Sequence, residues 1–351
     1  MVDFRDEANY RTGHDDDLEP LEALDLVTSD SVDALVRAMS NTAFGGRRLG
    51  EAADVLEAMV RDERCFRVVT ISGAMTIAKQ GLILCEMIDR GWVDAIVTTG
   101  ALMTHGLVEG AGMQHFKHRA SMDDSDLFTR GYNRVYDTIE LEQNLDDAEK
   151  ILREALGDVD DETILSSHTL LERLGRYLQD HVRGRAILAS AVAREIPVYV
   201  PAFTDSELGL DLAIYNHARR QEGRPALRFD PFLDLDDFAD RIRAAEEIGI
   251  FTIGGGVPRN WAQQVGPYLE IQRARLDRDE PARRYRYAVR ICPEPEHWGG
   301  LSGCSYTEGV SWGKFVPEAE GGRFAEVFAD ATIAWPLVVR AVIERLEASS
   351  G

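Results

Sequence analysis

The sequence predicts an α/β fold built on a mostly parallel sheet with helices on both faces. Six short segments rich in β-branched and other apolar residues are separated by segments with helical periodicity, and several end in glycine or small polar residues. Strands that alternate with helices form parallel sheets that are covered on both sides, and such sheets bind ligands at the carboxyl ends of their strands. The predicted strands cover residues 65–72, 93–100, 197–202, 250–255, 285–292 and 323–329.

Helical periodicity accounts for much of the remaining chain. Two amphipathic helices are predicted before the first strand, in DSVDALVRAM after Ser29 and in LGEAADVLEAMVRD after Gly45-Gly46. Residues 106–162 are charged and show little periodicity, so we predict a long functional loop or insertion there. Because no linker divides the chain, we expect an N-terminal arm over residues 1–27 and a single domain over residues 28–351.

Composition narrows the classes of function. The 351 residues are 44% hydrophobic, which is enough for a sizeable core, and the formal charge of −22 disfavours nucleic acid and anionic membranes as partners. The same charge favours cationic ligands, although general surface acidity for solubility would give the same sign. Four scattered cysteines, no apolar amino-terminal segment and no long apolar run predict a reduced, soluble, cytoplasmic protein.

The segment WGGLSGCSYTEGVSWGK, residues 298–314, carries the strongest chemical signal. It places Lys314 directly after Trp312 and Gly313, so the lysine stem can contact a large aromatic ring. Partial desolvation there would disfavour the charged ammonium, and a neutral lysine is a nucleophile toward carbonyls and imines. The alternative is an ordinary solvated lysine that follows a short helix.

Several motifs resemble the deoxyhypusine synthase family. These motifs are IVTTGA (96–101), PAFTDSELG (201–209), IGGGVPRN (253–260), GVSWGK with Glu308, and FADATIAWP near the carboxyl terminus. They occur in the family's order, and the resemblance covers residues 64–348. It implies a Rossmann-like fold, an NAD cofactor, a polyamine substrate and a homotetramer with active sites between paired subunits. It also implies that Lys314 carries a butylamine group as an imine.

The resemblance assigns cofactor-binding roles to residues at the predicted strand ends. A glycine turn between a strand and a helix lets backbone amides approach a phosphate, although Gly254-Gly255-Gly256 is not the G-x-G-x-x-G fingerprint and is equally explained as a structural turn. By the resemblance, NAD contacts Thr98, Thr99, Gly100, Asp205, Gly254, Gly255, Gly256, Gly299, Ser302, Ala329 and Asp330.

The resemblance also implies residues that bind the amine substrate. The family uses the glutamate matching Glu308 to hold an ammonium group and the tryptophan matching Trp312 to cover the carbon chain. The spacing Ser305-x-x-Glu308 is equally a capping box, in which the glutamate serves only the helix. Asn260 and Asp211 complete the predicted amine site.

This chain departs from the eukaryotic members of the family at several positions. Leu210 stands where they have an aspartate, with Asp211 one place later, and Leu301 replaces another carboxylate that binds spermidine. Asn260 replaces a histidine that can move protons near neutral pH, and Gln264 replaces an asparagine. The pattern looks like the bacterial deoxyhypusine synthase-like branch, some members of which make homospermidine from small diamines.

We therefore expect an NAD-dependent aminobutyl transferase whose acceptor is a small diamine. A true deoxyhypusine synthase that modifies a protein lysine is the first alternative, and a non-catalytic polyamine or dinucleotide sensor is the second. We assign no metal, because His105, His115 and His118 have no helical register and no clear carboxylate partner in the sequence.

Overall fold

The strands of the protein divide into one large sheet and two small ones. In the computed structural model, which describes residues 4–300 and 304–349, the strands in chain order are β1 (Cys65–Ile71), β2 (Ala95–Thr98), β3 (Phe116–Lys117), β4 (Tyr132–Val135), β5 (Thr138–Leu141), β6 (Ile164–Leu165), β7 (Val198–Tyr199), β8 (Arg228–Phe229), β9 (Glu247–Ile253), β10 (Tyr285–Ile291) and β11 (Arg323–Val327).

The helices fill most of the intervals between these strands. They are α1 (Val32–Ser40), α2 (Phe44–Arg61), α3 (Gly81–Asp89), α4 (Gly100–Gly110), α5 (Asp124–Thr129), α6 (Glu142–Ala155), α7 (Ser167–His181), α8 (Ile187–Ala193), α9 (Glu207–Gln221), α10 (Phe232–Ala244), α11 (Gly256–Gln263), α12 (Val265–Leu276), α13 (Tyr306–Ser311) and α14 (Ala331–Ala348). No helix of the described ranges is both long and apolar enough to cross a membrane.

The large sheet has the order β7-β2-β1-β9-β10-β11, and every neighbouring pair is parallel. All six predicted strands belong to it. If these strands are numbered one to six along the chain, the order is 3-2-1-4-5-6, which is the doubly wound arrangement of dinucleotide-binding folds. The predicted fold class is confirmed.

Alternate side chains of each strand enter two separate cores. Val69 of β1 and Phe251 of β9 pack with α2, α3 and α14 on one face, whereas Val68 and Ile250 pack with α10, α11 and α12 on the other. All four side chains are essentially buried. This alternation explains why the strands are apolar throughout, because a parallel sheet that is covered by helices buries both of its faces.

The two helices predicted before the first strand are part of this fold. They pack against α14, whose buried Arg345 forms ion pairs with Asp33 of α1 and with Asp54 and Glu57 of α2. The second helix begins at Phe44 and includes both glycines, earlier than predicted. An unpaired buried guanidinium is costly, so these three carboxylates fix how the two helices dock.

The prediction of a long functional loop over residues 106–162 is wrong, and its alternative, an insertion, stays a prediction. The region continues α4 to Gly110, forms the antiparallel sheet β3-β5-β4, and ends in the 14-residue helix α6. Four-residue strands with mixed polarity give little periodic signal, and α6 is so rich in charge that its narrow apolar stripe was missed.

The segment before α1 is largely exposed and carries two short 3₁₀ turns, Glu7–Asn9 and Gly13–Asp16. Glu22 contacts the body through its amide, which donates to the Asn41 carbonyl at 3.0 Å. The division into an arm and a single domain stays a prediction.

Candidate functional site

The topology places a crevice between β1 and β9. The chain runs outward from β1 to β2 and β7, and then returns to build β9, β10 and β11 on the other side of β1. The connections that leave adjacent strands therefore diverge at this point, and ligands of doubly wound sheets bind there, outside the carboxyl ends of the strands. Ser72 follows β1 and Gly254 follows β9, so both lie at this edge.

The glycine turn after β9 allows the backbone to lie very close to Ser72. Gly254 and Gly256 have φ values of 78° and 62°, which favour glycine, and a Cβ atom at Gly254 would lie 2.2 Å from the Ser72 Oγ atom. The Gly255 amide donates to that Oγ atom at 2.8 Å. Because α11 begins at Gly256, the turn presents a helix amino terminus at the crevice, which favours an anion.

Ser72 was not predicted as a site residue. A signal was present, since it is a small polar residue that directly follows an apolar strand, as Thr99 does after β2. Only the pairing of β1 with β9 shows that it adjoins the glycine turn.

The threonine hydroxyls at the turn after β2 form hydrogen bonds within the protein. The Thr98 hydroxyl is buried and donates to the Ile71 carbonyl at 3.0 Å, and the Thr99 hydroxyl donates to the Gly73 carbonyl at 3.0 Å. A Cβ atom at Gly100 would lie 2.2 Å from Ser206. Both threonine hydroxyls therefore donate within the protein, and the cofactor roles of Thr98, Thr99 and Gly100 stay predictions.

The other predicted cofactor residues lie in exposed or half-buried loops. Asp205 precedes α9, the Asp330 side chain caps α14 by accepting from the Thr332 amide at 2.8 Å, and Ala329 precedes it. Gly299 follows a short 3₁₀ turn with φ of 74°. Ser302 lies outside the described residues, as does Leu301. The cofactor roles of all these residues remain predictions.

Lys314 is only 8% exposed, although its neighbour Trp312 is 63% exposed. The Lys314 Nζ atom lies 5.9 Å from the centre of a Trp312 ring. Burial lowers the pKa of Lys314 and nearby Arg259 acts in the same direction, while Cys304 and Glu308 oppose the shift without reversing it. The predicted environment of this lysine is therefore present, and its amine is more readily neutral than that of a solvated lysine.

Glu308 is the third residue of the short helix α13, and the cap of this helix does not use its carboxylate. The Ser305 hydroxyl accepts from the Glu308 amide at 3.1 Å, so the cap uses the backbone of Glu308. The residue is exposed and lies close enough to influence the pKa of Lys314. An amine-binding role is compatible with this geometry.

Two buried arginines hold the segment that carries these residues. Arg259 donates to the Cys304 carbonyl at 2.6 Å, Arg290 donates to the same carbonyl at 3.3 Å, and Arg290 pairs with Glu326. Arg259 stands three residues after Gly256 on α11, so one helix joins the glycine turn to the lysine segment. The Lys314 carbonyl accepts from the Tyr285 amide at the start of β10, toward the amino edge of the sheet.

The residues that are predicted to bind the amine substrate do not all lie close together within one chain. Asn260 is half-buried on α11 and directly follows Arg259, which contacts the lysine segment. Asp211 is on α9, which follows the edge strand β7, and three strands separate β7 from β10. Burial, together with Glu207, Glu149 and Asp146, raises the pKa of Asp211 to about 7.

Comparison with known proteins decides the family. The family model described as deoxyhypusine synthase matches residues 34–342. The chain belongs to the deoxyhypusine synthase family. Members of this family are transferases that use spermidine, and they generally use NAD.

Relatives of this deoxyhypusine synthase family chain cover nearly its whole length. It is 34% identical to probable deoxyhypusine synthase 2 of Methanosarcina acetivorans over 91% of this chain and 88% of the relative. It is 30% identical to the deoxyhypusine synthase-like protein of Chlorobaculum parvum over 91% of this chain and 88% of that protein. A crystal structure from Entamoeba histolytica that is named for the same enzyme has a TM-score of 0.60 and 16% identity, and the match covers 92% of this chain and 97% of that one. That likeness supports the fold.

Proposed function

We propose that this protein is an NAD-dependent aminobutyl transferase that moves the butylamine group of spermidine, or of a related polyamine, to a small diamine. The observation that carries the proposal is the Lys314 amine, which is buried beside an exposed tryptophan and has a lowered pKa. A lysine with these properties forms imines at neutral pH far more readily than a solvated one.

The residues of the chain divide the work between covalent transfer and amine binding. Neutral Lys314 attacks the imine carbon of the oxidised donor, the first amine leaves, and the butylamine group stays on Lys314 as an imine. The acceptor amine then displaces Lys314. Glu308 holds a terminal ammonium group, Trp312 covers the carbon chain, and Asn260 contributes hydrogen bonds.

The glycine turn fits the phosphates of a dinucleotide. Gly254 leaves no room for a Cβ atom beside Ser72, and the start of α11 at Gly256 presents a helix amino terminus, which favours phosphate groups. NAD, when bound, would accept a hydride from the amine donor and return it to the product.

The proposed acceptor follows from the loss of carboxylates at Leu210 and Leu301, which leaves fewer anchors for ammonium groups than eukaryotic relatives have. The names of relatives such as that from Methanosarcina acetivorans favour the second candidate, a protein lysine as acceptor.

Product analysis separates these candidates. The protein is incubated with NAD, labelled spermidine and either putrescine or a hypusine-type translation factor. We expect labelled homospermidine and no net NADH. Labelling of the protein factor without homospermidine would favour the protein acceptor, and spermidine binding without any transfer would favour a sensor. Borohydride trapping followed by peptide mapping should place the label on Lys314.

The cofactor part of the proposal is tested by Gly255→Val. A branched side chain at this turn would keep the cofactor phosphates from the backbone amides, so NAD affinity should fall by roughly tenfold to a hundredfold, the equivalent of about 1.5–3 kcal/mol. Gly184→Val is the matched control, because a Cβ atom there meets no neighbour within 4 Å. If calorimetry gives the same NAD affinity for the folded Gly255→Val variant, the turn is only structural.

We also propose a homotetramer with active sites between paired subunits. Two observations support it: Asp211 lies far along the sheet from the lysine segment, and Leu210 and Trp312 are exposed in the single chain. Light scattering coupled to size exclusion should give four times the mass of the chain.

A further inference from the structure

Three side chains outside the proposed transfer site converge in the region between α4 and α6. They are His105 of α4, His115 of the loop that follows it, and Glu140 of β5. One ligand atom from each lies within 4.8 Å of the other two. The sequence offered the histidines without a carboxylate partner, and the antiparallel sheet β3-β5-β4 supplies one from 25 residues beyond His115.

The distances are close to those of a metal centre. The Glu140 Oε2 atom lies 3.0 Å from His105 Nδ1 and 2.6 Å from His115 Nε2. Ligand atoms around a tetrahedral zinc ion, with bonds of about 2.0–2.1 Å, are roughly 3.3 Å apart. The His105–Glu140 distance is already close to this value, and the His115 and Glu140 atoms would have to separate by about 0.7 Å (3.3 − 2.6) to admit an ion.

His115 gives an independent sign of a missing partner. Its side chain is 1% exposed, and its Nε2 atom has no hydrogen-bond partner among the described residues despite the 2.6 Å approach to Glu140. The approach is close but lacks hydrogen-bond direction. A buried imidazole nitrogen without a directed hydrogen bond needs an explanation, and an ion that binds between it and the carboxylate supplies one.

The carboxylate is also supported from outside the cluster. The second oxygen of Glu140 accepts from the Asn144 side chain at 2.6 Å and from the Leu141 amide at 2.9 Å. Metal-binding carboxylates are commonly oriented by such bonds.

One contact of His115 would compete with the binding of a metal ion. The Lys79 Nζ atom lies 2.7 Å from His115 Nδ1, and an ammonium that donates to Nδ1 leaves the proton on Nε2. Lys79 has a second partner, since Glu109 is 3.5 Å away, and its side chain is 44% exposed. It can therefore release the imidazole and turn toward Glu109.

We propose that His105, His115 and Glu140 bind a divalent transition-metal ion of the zinc class, with one position left for water. Two imidazoles and one carboxylate suit this class better than magnesium or calcium, which prefer oxygen ligands. The ion joins α4, which starts at the crevice wall, to the sheet β3-β5-β4. Its role is to hold this sheet on the body of the protein, and it takes no part in the aminobutyl transfer.

Titration of the chelator-treated full chain with Zn²⁺, followed by calorimetry, tests the proposal. We expect one ion per chain, and Co²⁺ should give visible absorption bands with tetrahedral intensity. His115→Ala and Glu140→Gln should each remove this binding, and Asn144→Ala should weaken it by roughly 10- to 100-fold. His181→Ala, which changes an exposed histidine on α7, should bind as tightly as the wild type.

Lys79→Met is the decisive variant, because the change lies at a partly exposed side chain and leaves the three ligands intact. If the cluster binds a metal, removal of this competing cation should tighten Zn²⁺ binding severalfold. Absence of Zn²⁺ binding in both the wild type and Lys79→Met would overturn the proposal, as would binding by the wild type that survives both His115→Ala and Glu140→Gln. In either case the cluster is a metal-free chain of polar contacts.

Discussion

Lys314 and Glu140 are both buried ionisable residues, and their surroundings have opposite effects on the stability of the charged form. Lys314 is buried beside the Trp312 ring with Arg259 nearby, and its pKa is lowered. Burial acts to raise the pKa of Glu140, but its contacts with His105, His115 and Asn144 outweigh burial, so that pKa is lowered as well. A lowered pKa means an unstable charge for a lysine and a stable charge for a glutamate.

The comparison separates a reactive group from a structural one. A buried charge without compensation shifts toward its neutral form, which for an amine is the nucleophile. A buried charge that accepts several donors stays ionised and orients its neighbours. We therefore expect a substitution of Lys314 to reduce catalysis and a substitution of Glu140 to reduce the stability of the protein.

The largest expected effect is that of Lys314→Ala. Removal of the amine should lower the transfer rate by several orders of magnitude while NAD affinity and the melting temperature stay nearly unchanged. Lys150→Ala, which removes an exposed lysine that pairs with Asp147 on α6, should retain full activity. Transfer at the wild-type rate by Lys314→Ala would exclude a covalent role for this residue.

Glu140→Gln should destabilise the metal-free protein by roughly 1–3 kcal/mol, because it replaces the buried carboxylate that contacts His105 and accepts from Asn144 with a neutral amide. Denaturant unfolding in the presence of chelator measures this, with the exposed Glu142→Gln expected to change stability by less than about 0.5 kcal/mol.

At acidic pH, the difference in the free energy of unfolding between the wild type and Glu140→Gln should become smaller. The folded pKa of Glu140 is below its ordinary value of 4.5, so its contribution is complete above pH 4.5 and is lost as the pH falls toward the folded pKa. A stability difference that is constant down through this range would show that the Glu140 charge is not what stabilises the region.

The smallest expected effect is that of Arg259→Met on the titration of Lys314. Arg259 lowers the pKa of Lys314, so its removal should shift the pH profile of Lys314 modification to higher pH. Competitive acylation across a pH series, read by mass spectrometry, measures the midpoint. Arg90→Met, at a surface ion pair with Glu86, should leave it unchanged. A midpoint that stays in place in the folded Arg259→Met variant would mean that burial alone sets the basicity of Lys314.

The sequence alone determined the fold class, the six strands of the large sheet and the lysine segment. These features rest on short-range patterns: buried strands are continuous apolar runs, turns need glycine, and Lys314 directly follows its aromatic neighbour in the chain. Residues 106–162 escaped prediction because short half-exposed strands and a highly charged helix give almost no periodic signal.

Only the tertiary structure decided which distant side chains meet. Ser72 reaches Gly255 because β1 pairs with β9, and Glu140 reaches His105 and His115 because a small antiparallel sheet folds back onto α4. Arg259 comes close enough to act on Lys314 because α11 and α13 share one face of the large sheet. Chain topology and packing set these distances. The sequence shows no spacing rule for such contacts, because the lengths of the segments between the partners do not affect them.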